Sequence, residues 1–175
     1  MKQLIVFLAL ILSAPWAMAV SYTLELSEKE LQKRVSAMMP LAQNTFFGSI
    51  VLSEPDIDLI ADSDEIGVFS HIEIIVQGGL KGTGRARITG SLSYQPETSQ
   101  FFFKNPRIVS LEVDGIPEDY LPQVKNIAQL VASNMLASYP VYTLEKDNVR
   151  HSFARAVLQS VSVKNEMLLI ELNAL

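Results

Sequence analysis

Five carboxylates crowd one short stretch of this chain: Asp56, Asp58, Asp62, Asp64 and Glu65. Clusters of oxygen ligands bind calcium when their spacing is right. Here it is not, because an EF-hand loop needs a Gly after its third ligand and a Glu at its twelfth place. Asp62-Ser63-Asp64-Glu65 reads as a solvated turn. Gly78-Gly79-Leu80-Lys81-Gly82-Thr83-Gly84 has the glycine density of a phosphate loop, but it lacks the Gly-Lys-Ser/Thr ending and no crossover helix follows. His71 and His151 are the two histidines, and neither sits in an HxxxH or His-Asp spacing. No Gly-x-Ser-x-Gly elbow occurs. The chain has no cysteine, which excludes disulfides, thiolate metal sites and a cysteine nucleophile. Lys81, Arg85 and Arg87 form a small basic stripe, read as a solubilising face, with lipid headgroups or an acidic partner as the alternative. These residues point to a protein that is not an enzyme and holds no cofactor or metal.

The remaining signal is apolar patterning. Residues 80–95 alternate throughout, with Leu80, Gly82, Gly84, Ala86, Ile88, Gly90, Leu92 and Tyr94 on one side and polar residues on the other. That is the pattern of a long, half-buried antiparallel strand. Three inward positions are Gly and one is Ala. Such positions admit a close neighbour, help a sheet bend, or leave room for a guest. The candidate lining is Ile72, Ile74, Gly82, Gly84, Ala86 and Ile88 from strands, with Val124, Ile127, Val131 and Met135 from a helix.

The elements that must position these residues follow from periodicity. Tyr22, Leu24 and Leu26 alternate as a short strand. Ser27-Glu28-Lys29-Glu30 is a capping box, so a helix starts at Glu28, and Pro40 ends it. Strands follow at 50–53, 57–61, 66–76 and 80–95, and another from Phe101 to Val113 is interrupted near Pro106. Pro122 is tolerable only in a first turn, so a long helix begins between Glu118 and Leu121 and runs to about Tyr139. A short extended piece at 141–144, a helix at 148–159 capped by Asp147, and a hairpin through Lys164-Asn165-Glu166 complete the chain. The pattern predicts an α+β fold: a strongly curved antiparallel sheet wrapped around one long helix, with two shorter helices.

The first nineteen residues are set apart. Lys2, the apolar run Leu4 to Leu12 and Ala17-Met18-Ala19 form a secretory signal pattern, predicting a single mature domain over 20–175. The apolar run is short for a membrane span, which needs about 20 residues. Without Lys2, 13 Lys and Arg face 19 Asp and Glu, a formal charge of −6. A mildly acidic chain is poorly suited to nucleic acid, so none is expected as a partner. With no lipobox Cys, the expected location is the periplasm.

The opening "YTLELSEKELQKRV", the block "VFSHIEIIVQGGLKGTGRARITGSLSYQPETSQFFFKNPRIVSLEVDGIP" and the closing "VLQSVSVKNEMLLIEL" resemble the YceB-like family of bacterial envelope lipoproteins. That family looks like a branch of the tubular lipid-binding (TULIP) superfamily. The resemblance implies a helix enclosed by a curved sheet, with lipid or another apolar molecule held between them, and no catalytic motif. The missing lipobox Cys is a departure and weakens any tethered shuttle role. The expected function is non-enzymatic binding of lipid or another long apolar ligand, with a transient encounter with a membrane surface. The alternative is an envelope protein–protein adaptor with a filled core.

Overall fold

The computed structural model describes residues 21–46, 48–76, 78–144 and 156–174. Strand β1 (Ser21–Ser27) runs directly into helix α1 (Glu28–Met38). The capping box is made in full: Ser27 Oγ accepts from the Glu30 N–H at 3.3 Å, and the Glu30 carboxylate accepts from the Ser27 N–H at 3.1 Å. Next come β2 (Leu41–Thr45), β3 (Gly48–Leu59), β4 (Ile66–Val76), β5 (Lys81–Gln95) and β6 (Gln100–Asp114). A single 3-10 turn (Glu118–Tyr120) leads into α2 (Leu121–Met135), followed by β7 (Pro140–Thr143), β8 (Ala156–Lys164) and β9 (Met167–Ala174).

The strands form two antiparallel sheets, a large one in the order β2-β3-β4-β5-β6-β7 and a small one in the order β1-β9-β8. One face of the large sheet is apolar because stretches of its central strands keep a period-2 pattern, most clearly from Val68 to Val76 of β4. On β4, Ile66, Val68, Ile72, Ile74 and Val76 are buried and Phe69, Glu73 and Ile75 are exposed. Helix α2 packs on β6 and also on β2 and β3, which lie toward the other end of the strand order. The sheet must curl for one helix to touch both. The small sheet closes another part of the same core with Leu168, Ile170 and Leu172, all fully buried. Its seam with the large sheet is the acidic turn: Asp62 N–H donates to the Val163 carbonyl, and Val163 N–H donates to the Ser63 carbonyl at 2.9 Å.

Two strands break at a proline, in the same way. Glu54-Pro55-Asp56-Ile57 interrupts β3 and Asn105-Pro106-Arg107-Ile108 lies in an irregular part of β6. The residue before each proline has a positive φ, +47° at Glu54 and +51° at Asn105. Each break frees backbone groups in half-buried surroundings, which must find partners. A glutamine from a helix supplies them. Gln32 of α1 accepts from the Ile57 N–H at 2.8 Å and donates to the Pro55 carbonyl. Gln129 of α2 accepts from the Ile108 N–H and donates to the Pro106 carbonyl, both at 2.9 Å.

The architecture overturns the α+β expectation of a strongly curved sheet around one long helix. The described chain is mostly β, with a curled six-strand sheet and two helices. The expected long helix is 15 residues in α2 after its 3-10 turn. At about 1.5 Å per residue it spans about 22 Å. At about 3.4 Å per residue the equally long β5 reaches about 50 Å, more than twice the length of α2. Pro122 confines the helix at its start. At the other end Tyr139 precedes Pro140, which disfavours helical geometry, and the chain turns at 136–138. The expected helix 148–159 also fails where it is visible: 156–159 belong to β8, and the rest lies outside the described residues.

Gln129→Ala and Gln32→Ala should each lower stability by about 1–3 kcal/mol in urea unfolding, because two backbone groups lose their partners. Gln129→Met, which keeps the bulk, should not restore it.

Candidate functional site

The ten residues selected as an apolar lining fall on β4, β5 and α2, and α2 packs mainly on β6, β2 and β3 rather than on the two strands that carry the rest. Ile72 and Ile74 of β4 stand opposite Gly84 and Gly82 of β5, with Ala86 and Ile88 further along. Val124, Ile127, Val131 and Met135 form the buried stripe of α2. All but the half-buried Gly84 are buried, and they belong to a core shared by both sheets and both helices.

The glycines serve close approach. A Cβ on Gly82 would stand 2.5 Å from Ile116 Cγ1, and one on Gly84 would stand 1.8 Å from the Glu112 carbonyl oxygen. Strand β6 and the chain after it occupy the space that side chains at these positions would take. That is the structural role glycine has where another backbone comes near.

An apolar slot does exist beside α1. Leu31, Val35 and Met38 form its roof, and Ile57, Ile66, Val68, Phe103, Leu136 and Val141 form the rest. Its volume is about 20 Å³, about one water-sized void with no polar lining residue. None of the ten residues lines it. The i, i+4, i+7 spacing of Leu31, Val35 and Met38 was a visible signal of the covering face. What lay beneath it was not.

A larger groove lies outside the core. Its volume is about 800 Å³, and it runs along β6 from Ile108 to Asp114, with Glu118, Leu121, Pro122 and Lys125 on the other side. Val109 is 51% exposed and Leu121 37% exposed.

Two arginines pair with carboxylates of the acidic stretch. Arg87 donates to Asp58 at 2.6 Å and lies over the Phe69 ring at 5.2 Å. Arg107 grips Glu65 with both terminal nitrogens, Nη2 donating to Oε2 at 2.7 Å. Two of the five clustered carboxylates are thus engaged by arginine, and the basic stripe loses one charge to the same pairing. The Arg107 hydrogen bonds hold the Glu65 carboxyl below its ordinary value of 4.5. At the capping box, the Ser27 backbone and hydroxyl lower Glu30 likewise. His71 sits half-buried on β4, opposite Ser53 and Arg85, and His151 lies outside the described residues. Among the described residues no three His, Cys, Asp or Glu are grouped to hold a metal, and no helix is long and apolar enough to cross a membrane.

A curled sheet closed by two helices, with a small apolar slot inside and a groove along one strand, defines a mostly-β scaffold built around an apolar interior. The chain belongs to the DUF1439 family of proteins of unknown function, whose model matches residues 26–167. A comparison with curated proteins finds no match.

Two outcomes follow. Gly84→Ala should destabilise the fold by about 1–3 kcal/mol, measured by urea unfolding, because the added methyl meets backbone that must move. The second concerns acid. Glu65 has a depressed folded value, so its contribution is fully present above about pH 4.5 and is lost as pH falls through that lower folded value. Glu65→Gln should therefore be destabilising at pH 7, with the gap to the parent protein narrowing as pH falls below about 4.5 in parallel unfolding curves.

Proposed function

We propose that this is a non-enzymatic binding protein for lipid or another long apolar ligand, exported to the periplasm and taking its ligand between α1 and the concave face of the large sheet. The observation that carries this reading is the slot under α1, whose nine lining residues are all apolar. Helix α1 is a light cover, since Leu31 and Val35 are its buried residues. A slot of about 20 Å³ does not hold an acyl chain with α1 in place, so the ligand enters as the helix lifts. Burial then yields about 0.8 kcal/mol per methylene. The resemblance to YceB-like proteins and the TULIP superfamily supports the same ligand class. A second reading, an envelope protein–protein adaptor with a filled core, is favoured by the tightly closed interior.

The test uses the purified protein, stripped of lipid, titrated with the fluorescent fatty acid cis-parinaric acid. Binding should be saturable and displaced by palmitate. Val68→Phe, which fills the slot, should weaken it at least tenfold without loss of the circular dichroism spectrum. Absence of probe binding, together with no lipid in an organic extract of the freshly purified protein, would decide for the adaptor.

A further inference from the structure

Among the described residues, strand β6 is only partly covered on its outer side. β7 pairs with it at Gln100, Phe101 and Phe102. Further along, Gln129 caps Pro106 and Ile108. Its side-chain amide offers one donor and one acceptor, as a peptide unit of a neighbouring strand would. From Val109 to Asp114 no strand lies outside β6 among the described residues. Natural edge strands are usually blunted by Lys, Pro or a cover. This stretch, Val-Ser-Leu-Glu-Val-Asp, has neither Lys nor Pro.

The open stretch faces the groove of about 800 Å³ whose far wall includes Leu121, Pro122 and Lys125. A strand residue fills about 160 Å³, taking its rise, the spacing between strands and the spacing between sheets. The groove therefore takes about five residues of extended chain, which matches the uncovered length of β6. Three carboxylates, Glu112, Asp114 and Glu118, line it against the single cation Lys125.

We propose that β6 from Val109 to Asp114 takes up an extended segment of a partner polypeptide as an added strand, prolonging the row that β7 begins. The segment alternates apolar and polar residues and carries a Lys or Arg that meets the carboxylates. Main-chain hydrogen bonds supply the affinity and the side chains supply the choice of partner, as in other strand additions. A second copy of this chain fits less well, because it brings its own three carboxylates to the same place. This site shares no lining residue with the slot under α1, so it stands or falls independently of the ligand proposed there.

The probe is a synthetic nonapeptide, Lys-Thr-Val-Thr-Val-Thr-Val-Thr-Lys, titrated into isotopically labelled full-length protein. Amide resonances of 109–114 should shift in a saturable way. Asp114→Lys combined with Glu118→Lys should weaken binding at least tenfold, and raising salt should weaken binding to the parent protein. A peptide N-methylated at alternate residues should not bind, which tests backbone pairing on the unaltered protein. Absence of shifts at 109–114, or equal binding of the N-methylated peptide, overturns the proposal. So does a dimer in sedimentation that pairs through β6 and excludes the peptide.

Discussion

Two broken strands each require a hydrogen-bonding partner, and that requirement fixes where the helices lie. A proline removes a backbone donor, and the irregular backbone beside it frees neighbouring groups from the ladder. Inside a half-buried sheet such groups cannot stay unpaired. Gln32 and Gln129 answer with the same pair of bonds, one from α1 to β3 and one from α2 to β6. Apolar stripes alone would let each helix slide or roll on a greasy sheet, because hydrophobic attraction has no direction. The glutamines supply direction. With α2 pinned to β6 while packing on β2 and β3, the curl of the sheet is set.

Both candidate surfaces follow from that pinning, in opposite ways. Gln32 holds α1 over the core, so the slot beneath Leu31 and Val35 is closed while those bonds last. Gln129 fills the outer side of β6 at Pro106 and Ile108, and among the described residues the uncovered edge begins just beyond it. The ion pairs have a different task. Arg87 with Asp58 ties β5 to β3, and Arg107 with Glu65 ties β6 to the turn before β4. The acidic turn that looked like a calcium loop joins the two sheets through the backbone at Asp62 and Ser63.

Local signals in the sequence were readable wherever the chain settles its own conformation. The capping box at Ser27 and Glu30, the alternation of β5 and the turn at Asn165 and Glu166 all formed where residue types placed them. The DUF1439 match covers residues 26–167, most of the chain. What failed depended on distant partners. The stripe Val124, Ile127, Val131, Met135 says that α2 is buried, but not whether a sheet wraps it or other elements share the cover. Residues 156–159 fit a helical period, yet β9 pairs with them from Ala156 onward. The glycines of β5 were ambiguous because sequence cannot say which neighbour comes close. At Gly84 it is the backbone of Glu112. Pro55 looked like the end of a strand, but a glutamine 23 residues earlier repairs the break.

The closed slot sets an energetic threshold for the proposed ligand. Lifting α1 exposes Leu31 and Val35, about 1.5–3 kcal/mol each. Separating Gln32 from Pro55 and Ile57 adds about 1–3 kcal/mol if those groups stay dry, and less once water reaches them. These contributions alone sum to about 4–9 kcal/mol, and the Arg34 contact with the Tyr142 ring and the bond from the Leu59 N–H to Glu28 add to it. At about 0.8 kcal/mol per methylene, at least roughly five to eleven buried methylenes are needed to balance it. Chains shorter than that cannot open the cover, while longer ones can, and part of the loss returns if α1 settles back onto the bound chain. The cover would then select for chain length, with little need for polar recognition inside. That fits a lining without a single polar residue, and on the proposed reading α1, more than the depths of the core, would be the element that decides what binds.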